Sequence, residues 1–285
     1  MNPSTLLVEL ITEELPPSSL LTLSENFAEK VQKKLALDLL LTSSSKMRIF
    51  ATPRRIGFQI NNVRQKAENS VKQLKLLPKK VAFHENGDPT DILKKKIISI
   101  ITLPTSKQLT IPDRDIENFL ERKTQIKTVG KQEYVYCEID EIGIQLEESL
   151  QLAVVSSLKS LPISKVMTYQ NISDTKKSID IKFVRPAHKL VALHGEHILK
   201  IKTLELTSGQ FSDGHRFLGE KEIKISNADD YEKQLQETGK VIPNFELRKA
   251  KIKNELDKKT DSCELVINED LLNEITALCE WPTVY

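Results

Sequence analysis

A chain of 285 residues with 42 Lys and Arg against 40 Asp and Glu carries a formal net charge of only +2, too little for a uniformly basic nucleic-acid coat. Its 39% hydrophobic and 29% charged residues supply a core, exclude a disordered composition, and leave room for one large domain or two. No apolar run approaches the roughly 18 residues of a membrane-spanning helix, so no membrane partner is expected.

Residues 5–12 (TLLVELIT) read as a strand, and Glu9, Glu13 and Glu14 stand where a signal peptide would be basic and then apolar. Pro16-Pro17, with serines able to cap, signals a helix start. Leu20, Leu23, Phe27, Val31 and Leu35 then recur at helical spacing as one apolar stripe, which residues 42–45 end. Residues 46–52 and 56–63 read as strands flanking a Pro53-Arg54-Arg55 turn. The middle is less regular. It holds a turn-rich stretch over 84–91, short helices near 91–101 and 112–123, and strands 125–128 and 133–139 paired around Val129-Gly130. Leu146, Leu150, Val154 and Leu158 mark an amphipathic helix.

Strands follow at 179–184, 190–194 and 198–206, with a shorter one at 222–226. Asn227 ahead of Ala-Asp-Asp-Tyr is an N-cap with two carboxylates in the first turn, for a helix ending near Gly239 as its C′ glycine. Further helices run from Pro243 to about 258 and over 269–278. The terminal Trp281-Pro-Thr-Val-Tyr285 is apolar without a stop signal, which reads as a strand in a chain that continues in a longer protein. Cys137, Cys263 and Cys279 are odd in number and form no CxxC pair, which excludes a disulfide framework and fits a reducing cytosol.

Charge is unevenly spread. Ten Lys and Arg lie between Lys46 and Lys80 against Glu68 alone, and nine between Lys159 and Lys202 against Asp174, Asp180 and Glu196. From Asp261 onward there are six acids and no base. Such blocks suit phosphate-backbone contact, although a solvated face produces them equally well. Aromatics at 5% offer no interleaved stacking surface.

His188, His194 and His197 lie close in sequence, but no carboxylate completes a ligand spacing, so no metal site is expected. Ser212-Asp213-Gly214-His215 holds triad residue types without a nucleophile elbow, and neither a GxGxxG nor a Walker-type loop is present. Glu13-Glu14 could supply paired acids, but a strand-to-helix cap is the simpler reading. Two motifs remain. Phe183-Val-Arg-Pro-Ala-His188 holds Arg185 extended before a proline, and Gly214-His-Arg-Phe-Leu218 sets a basic pair after a glycine turn. Either arginine could instead meet a structural carboxylate such as Asp229 or Asp230, and the residues alone leave both readings open.

Six strings occur in order: Glu9-Leu-Ile-Thr-Glu-Glu-Leu-Pro-Pro17, Ala51-Thr-Pro-Arg-Arg55, Phe183-Val-Arg-Pro-Ala-His188, Gly214-His-Arg-Phe217, Ala228-Asp-Asp-Tyr231 and Glu274-Ile-Thr-Ala-Leu-Cys-Glu-Trp-Pro282. Together they resemble the β subunit of bacterial heterotetrameric glycyl-tRNA synthetase, with a weaker stretch over 64–145. The resemblance implies a cytoplasmic glycine–tRNA ligase of α2β2 assembly. Its adenylation site, ATP and Mg2+ belong to the α subunit, its β subunit binds tRNA-Gly, and this chain holds no cofactor and no catalytic residue. It also implies an N-terminal part of a subunit more than twice as long. The fold class is α+β, a mixed β-sheet module over 1–225 resembling the B3/B4 module of phenylalanyl-tRNA synthetase β, with an insertion at about 64–145. The helical segment 226–285 would open a following domain.

Two positions depart from the family pattern. Lys189 stands in place of an aromatic residue, and Ile11 in place of a glycine that allows close backbone approach. The residues expected at a tRNA or interdomain contact are Arg54, Arg55, Arg185, His188, His215 and Arg216, since the planar arginine fork can hold phosphate oxygens bidentately. Two rival readings are a purely structural module docking the α subunit or another domain, and an editing-like hydrolase of mischarged aminoacyl-tRNA.

Overall fold

The structure, a computed structural model, describes residues 3–101, 113–130, 132–172, 178–260 and 266–285. Its elements begin with β1 (Ser4–Thr12), α1 (Pro17–Leu37), β2 (Met47–Thr52), β3 (Arg55–Val63), β4 (Ser70–Pro78), α2 (Lys79–Ala82), α3 (Asp91–Ile101), α4 (Asp113–Lys123), β5 (Thr124–Val129) and β6 (Gln132–Glu141). They continue with α5 (Leu146–Lys159), β7 (Met167–Ile172), β8 (Ser178–Phe183), β9 (Ala187–His194), β10 (His197–Ile198), α6 (Tyr231–Glu237), α7 (Phe245–Lys259) and α8 (Glu269–Leu278). The chain divides into two compact units, one of residues up to 67 with 144–285 and the other of 68–143.

The consecutive apolar positions of β1 suit a central strand buried on both faces, and it is the middle of a five-stranded sheet ordered β10-β9-β1-β3-β2. Every pairing in that sheet is antiparallel, so the expected mixed sheet is corrected to an antiparallel one. Leu6, Val8 and Leu10 pair with Ile60, Phe58 and Ile56 and share one core with the stripe of α1 and the buried face of α5. Leu7 belongs to the opposite face, in a second core with Phe50, Val191, Leu193, Tyr231 and Leu235.

Helix α1 is entered through Pro16-Pro17 without a side-chain cap, so the serines expected to cap it do not. It stops at Leu37, earlier than expected, and the chain turns through left-handed Leu39, φ 59°. The strand expected over 198–206 is broken: Leu204 and Glu205, at φ 50° and 58°, form a tight turn between two-residue strands. Neither residue carries the usual turn signal. Strand β8 pairs with β7, which the sequence pattern did not separate from its surroundings.

Asn227, Asn244 and Asn268 each accept hydrogen bonds from backbone N–H groups at helix starts. Gly239 is not the left-handed residue after α6; that is Lys240, φ 50°. Arg248 on α7 is buried and spends its guanidinium on the carbonyls of Ile242 and Ala51 at 2.7 Å and of Thr276 at 3.1 Å. Burial pulls its pKa down to about 10. The segment from 226, expected to open a following domain, thus belongs to the first unit. Its last residues, 281–285, form no strand.

The second unit is an antiparallel sheet ordered β4-β6-β5. Leu76, Val135 and Cys137 on one face pack with Leu93 and Ile97 of α3 and Ile116 of α4. Strand β4 was legible only as part of a basic block. Cys263, Asp174, and the tail acids Asp261 and Glu264 lie outside the described residues.

Candidate functional site

The two-residue turn Pro53-Arg54 joins β2 to β3 and makes Arg55 the first residue of β3, opposite Ile11 and on the face of Glu9. Gly57 pairs with Glu9; a Cβ there would lie 2.6 Å from the Val8 carbonyl, so glycine sets this strand approach. The Arg55 guanidinium meets Glu9 Oε1 at 2.8 Å, the Asp213 carbonyl at 2.8 Å, Thr52 Oγ1 at 3.2 Å and Glu280 Oε1 at 3.4 Å. The Tyr231 and Ser212 hydroxyls each donate to Glu9 at 2.6 Å. Glu9 is 0% and Arg55 1% exposed.

Burial alone would lower the Arg55 pKa, but the charges of Glu280 and Glu9 reverse this and hold it above its ordinary value. Such a charge stays buried only with its partners in place. Arg55 is 1% exposed and presents no guanidinium surface to a ligand. Its donors face inward, and it ties β1, β3, the loop at Asp213 and the chain end together.

Asp213 also lines a cleft of about 550 Å³. Arg54, Lys189, Arg216 and Lys221 line it as four cations against the three carboxylates of Glu13, Asp213 and Glu222, with His188 among them. The register of β9 on β1 shifts between Ile11 and Thr12, passing over His188, and this bulge delivers both His188 and Lys189 to the cleft. His188 Nε2 lies 2.9 Å from Glu13 Oε1, and Arg216 donates to the other Glu13 oxygen at 3.0 Å. Lys189 pairs with Asp213 at 2.7 Å.

Burial raises both carboxyls. For Glu13 the hydrogen bonds from His188 and Arg216 outweigh it, and for Asp213 those from Lys189 and the Glu222 N–H do, so both sit below the usual carboxylate range. Arg54 Nε is buried with no hydrogen-bond partner, and Arg216 and Lys221 are exposed.

The loop presenting Arg216 closes on Gly239. His215 N donates to the Gly239 carbonyl at 2.7 Å, and a Cβ on Gly219 would lie 2.0 Å from that oxygen. His215 Nδ1 accepts from the Phe217 and Leu218 N–H groups at 3.2 Å, so the ring caps its own loop. Arg185 donates to the Glu14 and Val184 carbonyls at 2.9 Å. Of the six expected residues, Arg54, His188 and Arg216 share the cleft, Arg185 and His215 brace its margins, and Arg55 lies beneath.

Sequence reasoning missed Lys189 and Lys221. The basic blocks meet here only in part, through Arg54 of the first and His188-Lys189 of the second. Elsewhere Arg48 pairs with Glu232 at 2.9 Å, and Lys72, Lys75, Lys79 and Lys80 belong to the second unit. His194 is buried and donates to the Val63 carbonyl at 2.8 Å. Ser212 donates to Glu9, Asp213 pairs with Lys189 and His215 caps its own loop, so the triad residue types serve structure.

Residues 6–285 match the family model described as "Glycyl-tRNA synthetase beta subunit". Relatives named glycine–tRNA ligase beta subunit include those of Nitrosomonas eutropha, 36% identical over 287 residues covering 100% of this chain and 38% of that protein, and Ralstonia nicotianae, 39% identical over 282 residues covering 99% and 38%. That of Methylobacillus flagellatus is 37% identical over 292 residues, covering 99% of this chain and 39% of its own length. The chain spans about 38% of the length of the relatives it matches. It belongs to the glycyl-tRNA synthetase β-subunit family.

Proposed function

We propose that this chain acts in the charging of tRNA-Gly with glycine, as a non-catalytic part of an α2β2 glycine–tRNA ligase whose ATP and Mg2+ are bound on the α subunit. Its own contribution is contact with the tRNA backbone at the cleft. The observation that carries this reading is the convergence of Arg54, Arg216 and Lys221 on one opening, two of them exposed and the third with an unpartnered Nε. Such a cluster fits a phosphate oxygen, which accepts charge-assisted hydrogen bonds from several cations at once.

The likeness to the B3/B4 module of phenylalanyl-tRNA synthetase β and a cytoplasmic location are part of the proposal. The first is supported by the α+β architecture with a central sheet. For the second, no described helix is long and apolar enough to cross a membrane.

The test reverses charge at the cleft, Arg54→Glu with Arg216→Glu and Lys221→Glu, in the enzyme reconstituted with its α subunit. The KM for tRNA-Gly rises about tenfold or more at physiological salt, while glycine-dependent ATP–pyrophosphate exchange is unchanged. Unchanged charging kinetics overturn the reading.

A docking role is favoured by one observation: Phe217 is 84% exposed beside Arg216, a position suited to an apolar anchor in a protein partner. Under that reading Phe217→Ser weakens co-purification with the α subunit and leaves tRNA affinity intact.

A further inference from the structure

The second unit carries an open sheet face that the cleft does not involve. Central strand β6 alternates, turning Val135 and Cys137 into the core and Tyr134 and Tyr136 to the other side. The register sets Lys75 and Gln125 beside Tyr136, and Lys127 beside Tyr134. Lys75 Nζ lies 3.3 Å from the centre of the Tyr134 ring, and Lys127 Nζ 5.6 Å from that of Tyr136. Gln73 donates to Glu138 at 3.0 Å and accepts from Lys127.

We propose that this face binds single-stranded RNA, with two unpaired bases stacked on Tyr134 and Tyr136 and their phosphates held by Lys75 and Lys127. Rings two residues apart on one strand stand about 7 Å apart, twice the ~3.4 Å rise of a stacked duplex strand. Bases on both rings must therefore be splayed from one another, which a paired helix does not allow. The lysines already rest above the rings.

Stacking a base on an aromatic side chain is worth roughly 5- to 150-fold in affinity, whereas an exposed cation–π contact is worth about 2- to 5-fold. A base thus displaces the Lys75 ammonium from Tyr134, and that ammonium, on its flexible stem, is left beside the incoming phosphate. Gln73 and Gln125 are exposed on the flanking strands, with amides able to meet base edges. Glu138 and, by strand alternation, Asp140 are placed on the same face against the two lysines, so the stacking rings rather than net charge select the ligand.

The test measures fluorescence anisotropy of a fluorescein-labelled RNA of about ten nucleotides, single-stranded or annealed to its complement, with the 285-residue chain. The single strand binds several-fold more tightly than the duplex. Tyr136→Ala weakens it about fivefold or more, Tyr136→Phe stays within about twofold, and Lys75→Gln with Lys127→Gln lowers the log–log salt slope by about 1.4.

Repeating the titration in the Arg54→Glu, Arg216→Glu, Lys221→Glu background separates this face from the cleft, since the tyrosine effects persist there even if the cleft reading fails. Photocrosslinking of a 5-bromouridine-containing strand to Tyr134 or Tyr136 decides the matter if the alanine variant does not fold. Equal affinity for duplex, tyrosine variants without effect, or crosslinks confined to other residues overturn the proposal. A face that serves a protein partner gives the second of these results.

Discussion

Removing Arg55 tests whether the buried ion cluster, rather than the apolar core alone, fixes the chain end against the sheet. Arg55→Met keeps the volume and the apolar stem but leaves Glu9 and Glu280 buried without a counter-charge. Breaking a buried pair by deleting one partner costs about 3–5 kcal/mol. Glu9 retains the Tyr231 and Ser212 hydroxyls and Glu280 retains Thr52 Oγ1 at 2.8 Å, which offset part of the loss. We therefore place the cost at about 3 kcal/mol, the lower end of that range.

Urea unfolding followed by circular dichroism gives the stability. Emission of Trp281, the chain's single tryptophan and the neighbour of Glu280, reports whether the end has come away. Adding Glu280→Gln to Arg55→Met recovers about 1–2 kcal/mol, because one uncompensated charge is gone. A loss below about 1 kcal/mol, or a double variant less stable than the single, refutes the reasoning.

Gly219→Ala forces the loop away from the Gly239 carbonyl and costs about 1–3 kcal/mol together with part of the tRNA affinity, while Gly209→Ala, with nothing within 4 Å of its Cβ, is close to neutral in the same assays. Burial lowers the His194 pKa, so the unfolded chain takes up a proton first and stability is lost as pH falls below about 6.5. His194→Gln shrinks the difference between urea midpoints at pH 7.5 and 5.5, and an unchanged difference contradicts this. Glu13→Gln tightens tRNA binding about threefold or more at pH 7. Because the Glu13 carboxyl sits below its usual range, the parent gains no such tightening on mild acidification to about pH 5, and weaker binding by the variant opposes the argument.

Periodicity made the main helices and the central strands legible. The apolar stripe of α1, the run of β1, and the short helices of the second unit come from local patterns that the tertiary fold does not override. What periodicity missed depended on partners. Strand β4 is polar where it faces solvent and became visible only through β6 beside it. The turn at Leu204-Glu205 uses left-handed residues without glycine or asparagine, so no local signal marks it.

At the site, Arg54 and Arg55 look like twins in sequence, yet one belongs to a turn and the other to a strand facing Glu9. Their opposite fates follow from that single register. His188 reaches the cleft because of a bulge, and a bulge is a property of two strands rather than one. The tyrosines of β6 were averaged into a low aromatic content, although Tyr134-Val-Tyr136 is itself the alternating pattern that places two rings on one face.

The three carboxylates in the cleft bear on why a net charge of +2 is compatible with an anion partner. Four cations converging without them would repel one another and splay into solvent. Glu13 and Asp213 hold Arg216 and Lys189 in one geometry, through pairs exposed enough to be worth at most about 1 kcal/mol each. A phosphate therefore displaces a carboxylate at small cost, but feels its charge. At ~6 Å in water one unit charge opposes another by about 0.7 kcal/mol, and several-fold more where solvent is partly excluded. That repulsion exceeds what orientation by Glu13 returns, which is why its removal is expected to tighten binding. The same balance weakens the hold of the cleft on any single small anion. Selectivity for a long polyanion then comes from several weak contacts made together, a behaviour that net charge does not report.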